Sequence, residues 1–517
     1  MSEEYILVFD IGTGSTKATL ITLDGKIVAS TTEEYGLSHP YPGWAEQDPE
    51  DWWKAVVATT RNILKKSEIS PKNVIGISFD AQMINVIPVD KEGKPLRPSI
   101  IWMDARAGEE AKELEEKVSI ILMVSAGLLP MISAKDVPPR ILWLKRHEPH
   151  VFEKTYKFLD CKDYLIYKLT GKYVTDWTCA LLTGMLHVRE KEWCEEFLEY
   201  LGITVDQLPE PLKTIDVVGT LTDEAAKVLG LPKETPVICG AGDLPATALG
   251  SGAIGDGEAH VYIGTSSWIG VHLRPEMYTL DPDTGMGTIF SGDPEKLLLT
   301  GEMENSGNCY RWFRDELGYK EVEEAKRAGK DPYYILDNEA SKIPPGSDKL
   351  IFLPWMLGER APLQDHTVRG GFVNLSLRHT RAHMVRAVLE GVAYHLRWIV
   401  DCVERLGFKI EWLNACGGGA QSPIWMQILA DVTGKEIRRV HAPLDAPSLG
   451  TAMMVGVGLK VYKDFETAAK KLIKIEKVFT PDEKNREVYE KLYGCFKEIY
   501  ARLKNVFYEL NEKEGEI

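Results

Sequence analysis

The chain opens on two apolar runs, residues 5–10 and 17–23, held apart by "IGTGST". Strand-like patterning on either side of a glycine turn predicts a β-hairpin. "DGK" at 24–26 is a second turn signal, leading to a third strand. A helical stretch from Asp48 to Lys66 follows "YPGWAEQDP". "VIGISFDAQMINVIPVD", residues 74–90, predicts two strands separated by a turn near Ala81, and "SIIWMDARAGEEAKELEEKV" passes from a strand into a charged helix. The longest uncharged run, Val118 to Ala134, includes Gly127 and Pro130. It falls short of the about 20 residues that span a bilayer, and predicts a buried helix and a loop.

Near residue 258 the pattern begins again. "EAHVYIGTSSWIGVHLRP" is an apolar strand, a Gly264-Thr265-Ser266-Ser267 turn and a second apolar strand. One device used twice suggests two similar domains. The stretch between them, "CGAGDLPATALGSGAIGDG" (239–257), is rich in Gly and Ala and predicts a hinge. At the far end, Val488, Leu492, Phe496, Ile499, Leu503 and Phe507 recur every three or four residues, the stripe of a packed amphipathic helix. The expected segments are 1–246, 247–460 and a helical 461–517.

The 517 residues exceed one ordinary core and agree with at least two domains. A formal charge of −16 argues against a general nucleic-acid binder, whose footprint is basic. The eight cysteines form no CxxC pair and no zinc-ligand spacing, which fits scattered reduced thiols in a cytoplasmic protein. No signal peptide and no membrane association are expected.

A turn of glycines and hydroxyls presents several backbone N–H groups to one point, a nest suited to phosphate oxygens. Thr13, Gly14, Ser15, Thr16 and Lys17 supply it, and Asp10 at the strand end is placed to hold Mg²⁺ directly or through water. The competing reading is an ordinary hairpin with an acidic edge. Asp243 in "CGAGDLPA" has little side-chain cover and could serve as a general base toward a hydroxyl. It is equally a good N-cap for the helix that follows, and one residue can do both. Gly417, Gly418 and Gly419 follow an apolar strand, where a flat ring could lie against bare backbone; a plain loop is the alternative. No Walker P-loop occurs, and the GxGxxG string at Gly250–Gly255 has the wrong flanks for a dinucleotide site.

Taken in order, these motifs resemble the FGGY carbohydrate kinases of the sugar kinase/Hsp70/actin superfamily. "FDIGTGSTK" and "YIGTSS" look like the family's phosphate motifs, "GAGD" like its catalytic acid and "GGGAQSPIWMQILADVTG" like its adenosine motif. "GGFVNLSLRHTRAHMVRAVLEGVA" is similar to its second signature, with Asn374 where glycine is usual; "PPRILWLKRHEP" is similar to the first, with Arg140 in place of lysine. The resemblance implies an α/β protein of two RNase H-like (actin-like ATPase) domains with a central cleft. It implies ATP and Mg²⁺ as cofactors, a sugar or polyol as partner and a homodimer as the assembly. ATP would be held by Thr13–Lys17, Gly264, Thr265, Ser266, Gly307, Arg311, Gly417–Gly419 and Ala420. The metal would lie at Asp10 and Asp243, with Asp243 as base. Sugar would meet Trp44, Gln82, Met83, Asp104 and Asp243.

On substrate, Met83 and Ile84 replace the Arg-Glu pair of glycerol-phosphorylating relatives, which disfavours glycerol. The pattern lies nearest xylulose kinases, but Ile84, Met103 and Leu244 are apolar where that pattern is polar. The expected activity is therefore phosphorylation of a ketopentose such as D-xylulose, with ribulose, a deoxy-ketose or a tetritol as alternatives. A pocket fed by Asn85 instead would reconcile these apolar positions with D-xylulose. Filament-type relatives and a regulatory paralogue without kinase activity are the readings from other classes; the former lack the second signature, and intact Asp10 and Asp243 oppose the latter.

Overall fold

A computed structural model describes residues 3–121 and 132–512; most of the uncharged run 118–134 lies outside the described residues. The chain forms two compact units that are discontinuous in sequence. The first takes the residues up to Gly250, with Ile289–Leu297 and Pro447–Ile473; the second takes Ser251–Thr288, Leu298–Ala446 and the chain from Lys474 onward. After Ala446 the chain returns to the first unit with Pro447–Ile473 before rejoining the second.

In the first unit the sheet runs Val217–Thr220, Pro236–Ile238, Val74–Ala81, Tyr5–Ile11, Ser15–Thr22, Ile27–Glu34. The first three strands in sequence are antiparallel, and Val74–Ala81 lies parallel to Tyr5–Ile11. The central strands are buried on both faces, which is why their sequences read as nearly unbroken apolar runs. Helix Pro49–Ser67 starts where Asp48 accepts a hydrogen bond from Glu50 N, with Pro at its first position. It turns Trp52, Val56 and Ile63 onto the sheet, each burial contributing about 1.5–3 kcal/mol.

The second unit repeats the plan: Leu280–Asp281, Met286–Phe290, Leu297–Met303, Ser267–Leu273, Ala259–Ile263, Trp412–Cys416, Glu436–Val440, Ile475–Phe479. Ala259–Ile263 pairs antiparallel with the strand after its turn and parallel with Trp412–Cys416. A first strand flanked by its hairpin partner on one side and a parallel strand on the other is the RNase H-like order, present in both units.

The boundary between the two units, Gly250/Ser251, falls inside the expected hinge at 239–257, and the part before it is largely interior. Ala241–Gly242 pairs with the strand Val74–Ala81, and Asp243–Gly250 is a buried helix of the first unit. Its small residues serve close packing: a Cβ on Gly450 would lie 1.9 Å from Ala246 O. The C-terminal helix is Glu483–Asn511, burying Leu492 and Phe496 as the stripe predicts, together with Tyr489 and Tyr493. Among the described residues, no helix is long and apolar enough to cross a membrane.

Candidate active site

Sheet register aligns three acids in the first unit. Asp10 pairs with Asp80 on the parallel neighbour and with Lys17 on the antiparallel one. Asp80 in turn pairs with Ala241, two residues before Asp243. All three acids therefore gather at one end of the sheet. Burial pushes the Asp80 carboxyl well up from the usual carboxylate range, the charges of Asp10 and then Asp243 add to this, and the hydroxyl of Thr451 opposes it. Thr451 Oγ1 donates to Asp80 Oδ2 at 2.8 Å; Oδ1 is buried and has no partner among the described residues. Sequence reasoning passed over Asp80, although "SFDA" repeats the "VFDI" of Asp10 and the two phenylalanines, Phe9 and Phe79, stack at 5.2 Å.

The turn after Asp10 is closed by Gly12 N donating to Ser15 O at 3.0 Å. No atom beyond the adjoining residues lies within 4 Å of a Cβ placed on Gly14, and Ser15 and Lys17 are half-buried, whereas Thr16 points into the core. Thr13 connects this turn to Gln82, an expected sugar residue, and to Gln47 and Trp102. Its carbonyl accepts from Gln47 Nε2 (2.7 Å), and its hydroxyl accepts from Trp102 Nε1 (3.0 Å) and reaches Gln82 Oε1 (3.5 Å). Gln82 also donates to Gln47 Oε1 at 3.0 Å.

Asp243 is the first residue of its helix and half-buried, with Oδ1 accepting from Leu244 N at 2.8 Å, so a first-turn hydrogen bond coexists with a partly exposed acid. Met83 packs on Gly242. Trp44 lies under the Arg106 guanidinium at 3.6 Å and edge-on to Trp143. Asp104 is fully buried and holds this loop in place: it accepts from Ala45 N and from Arg106 N, Nε and Nη2. Four donors fill the acceptor capacity of a carboxylate, so Asp104 acts behind the wall rather than on a sugar. Asn85 is likewise turned inward, donating to Gln82 O and Asp160 Oδ1. Leu244 is buried and Met103 is exposed.

In the second unit the three expected nucleotide segments converge on one strand end. Gly264 N donates to Ser266 O; Gly264 O accepts from Gly307 N (2.8 Å), and Thr265 O accepts from Ser306 N and Asn308 N. A Cβ on Gly307 would lie 2.3 Å from Gly264 O, so only glycine lets helix Gly307–Trp312 start there. The pairing of Tyr262 with Cys416 brings Gly417 level with Ile263; Gly418 is exposed and Ala420 is buried. Arg311 is exposed and donates to Asn308 Oδ1. Asn305 and Ser306 lie outside the expected site residues; their Nδ2 and Oγ, like the Oγ of Ser267 in the expected turn, are buried without partners among the described residues. Orphaned donors beside a glycine turn fit phosphate or ribose oxygens.

Two RNase H-like units, each with a Gly-Thr-Ser turn at the end of its first strand, define the actin-like ATPase fold. Residues 5–250 match the N-terminal domain, and residues 259–459 the C-terminal domain, of the FGGY family of carbohydrate kinases. The chain is 31% identical over 512 residues to a xylulose kinase of Staphylococcus epidermidis (99% of each chain covered). It is 33% identical over 511 residues to a gluconokinase of Bacillus subtilis (98% of this chain, 97% of the other). Among solved structures, a gluconate kinase from Lactobacillus acidophilus superposes with a TM-score of 0.87 at 29% identity, covering 98% of this chain and 100% of that one. The chain belongs to the FGGY family of carbohydrate kinases and is an ATP-dependent sugar kinase.

Proposed function

We propose that this kinase phosphorylates an uncharged ketose, best a ketopentose such as D-xylulose, with the first unit holding the sugar and the second the nucleotide. The observation that carries this reading is the alignment of Asp10, Asp80 and Asp243 beside the Gln82–Met83 turn.

Asp243 is the base in this reading. As a sugar oxygen bonds to the γ-phosphorus, its proton passes to the Asp243 carboxylate, the bond from γ-phosphorus to the bridging oxygen breaks, and ADP leaves. Such transfer depends on positioning and charge neutralisation. The turn N–H groups of Thr13 and Gly14, and those of Thr265 and Ser266, would supply phosphate donors. Among the described residues, no group of three or more His, Cys, Asp or Glu is arranged to hold a metal. Magnesium needs only one or two carboxylates because it keeps waters and takes phosphate oxygens. Asp10 fits that demand, and the buried, unpartnered Asp80 Oδ1 is a second acceptor near it; a magnesium ion bound there would neutralise phosphate charge.

Relatives named for xylulose and for gluconate are of similar identity. Gluconate carries a carboxylate, which calls for a cation at the sugar wall. Arg97 is engaged by Glu46 and Glu148, and Arg106 by Glu46 and Asp104. With these cations paired and three acids gathered nearby, a neutral sugar is favoured. The test is ADP release by purified protein with D-xylulose, D- and L-ribulose, a deoxy-ketose, erythritol, glycerol and D-gluconate. The highest kcat/KM on a ketopentose supports the reading, and the highest on gluconate overturns it.

A further inference from the structure

Ile84 has φ +56°, the left-handed region that a β-branched residue rarely enters. Such strain persists only where surrounding structure enforces it, and it gathers at ligand clamps. Here the enforcement is visible. The Asp160 carboxylate accepts from Ile84 N at 2.9 Å and from Asn85 N at 3.2 Å, and its Oδ1 also accepts from Asn85 Nδ2 at 2.7 Å. On the other side, Arg140 Nη2 donates to Ile84 O at 2.8 Å. The same guanidinium donates through Nη1 to Ile101 O (2.8 Å) and Ile100 O (3.2 Å), and through Nε to Asp136 O (2.9 Å). Arg140 is fully buried and Asp160 nearly so.

Two buried side chains, a carboxyl and a guanidinium, thus grip the N–H and the C=O of one strained residue. That residue follows directly on Gln82 and Met83, and Asn85 closes the turn by donating to Gln82 O at 3.0 Å. Through Ile100 and Ile101, Arg140 also fixes the backbone leading into Trp102, which donates to Thr13. We propose that Arg140 and Asp160 are positioning residues for the sugar: by clamping Ile84 in the left-handed conformation they set Gln82 and Met83 at the substrate wall. An ammonium has no planar fork with which to reach several carbonyls on separate segments at once, so arginine suits this place better than lysine. The proposal rests on the reading of Gln82 and Met83 as sugar residues.

The test compares Asp160→Asn and Arg140→Lys with wild type for sugar KM, ATP KM and kcat, with melting temperature as the fold control. A turn displaced by a fraction of an ångström is expected to raise sugar KM about tenfold or more, while ATP KM and kcat stay within about twofold. Ile84→Gly, which adopts positive φ without strain, is measured alone as the reference, and sugar KM in both clamp variants combined with it is expected to lie within about threefold of that reference. A merely structural role produces losses that simply add. Unchanged sugar KM in a folded clamp variant, or losses that Ile84→Gly leaves in place, overturns the proposal. Should Asp160→Asn not fold, Arg140→Lys with and without Ile84→Gly decides alone. If wild type turns over D-gluconate rather than a ketopentose, the substrate reading falls, and the same ratios measured on gluconate still judge the clamp.

Discussion

Met83 packs against the bare backbone of Gly242: a Cβ on that glycine would lie 1.8 Å from Met83 Sδ and 2.5 Å from its Cγ. The turn expected to face the sugar is therefore seated on the residue that precedes the expected base. Gly242→Ala forces Met83 out of a place where it is only 9% exposed. Overpacking of this kind costs about 1–3 kcal/mol. The expected result is a modestly lower melting temperature and a sugar KM raised about tenfold, with ATP KM unchanged. Steady-state kinetics checks this; a sugar KM at the wild-type value separates Met83 from the substrate.

Gly307→Ala makes the matching test in the second unit. Its Cβ would meet a backbone oxygen, Gly264 O, which cannot swing aside as a side chain can. The helix start must move off the phosphate turn. ATP KM is expected to rise about tenfold or more while binding of sugar alone, measured by calorimetry, stays within about twofold. A rise in sugar Kd with unchanged ATP KM contradicts the assignment of this turn to the nucleotide.

Asp10→Asn removes the carboxylate expected at the metal. The Mg²⁺ concentration for half-maximal rate is expected to rise and turnover to fall, with sugar affinity nearly intact. A collapse of sugar affinity with an unchanged Mg²⁺ titration sinks the role.

Much of this was legible in the sequence because each unit's first strand, turn and second strand are local: Gly12–Ser15 and Gly264–Ser266 close on themselves. Asp243 and Gly307 were legible for the same reason, each standing in a short motif. What was not legible depends on pairing across long separations. Asp80 gains meaning only from its register with Asp10 and from Thr451, 371 residues away. Asp104 and Asn85 looked like pocket residues because polarity in a motif does not reveal which way a side chain turns. The Gly- and Ala-rich 239–257 stretch does contain the boundary between the units, but small residues serve close helix packing as well as loops, and only the partner, Gly450, shows that Asp243–Gly250 is packed.

A buried pair in the second unit predicts a pH effect on stability. Burial pushes Glu359 up to about 8 from 4.5 and His395 down to about 4 from 6.5. Between pH 4.5 and 8 the folded state keeps a proton on Glu359 that the unfolded state releases, so this group's contribution declines as pH rises. Between pH 4 and 6.5 the unfolded state protonates His395 and the folded state does not, so that contribution grows as pH rises. The two oppose each other up to pH 6.5, and above it only the Glu359 decline remains, about 2 kcal/mol by pH 8. Glu359→Gln is expected to gain melting temperature relative to wild type steadily from pH 6.5 to pH 8. A difference that stays constant across that window contradicts the assignment.

Asp243 is the residue proposed to remove the proton from the sugar hydroxyl. The measurement is kcat of Asp243→Asn on the sugar that wild type prefers, with sugar and ATP affinities determined separately and the melting temperature recorded, because the carboxylate also accepts from Leu244 N in the first turn of its helix. Asparagine keeps the shape and can still accept that hydrogen bond. The kcat is expected to fall by about 10²–10⁴-fold, with affinities within a few-fold of wild type and a melting temperature close to it. A folded variant with near-native kcat would contradict this role.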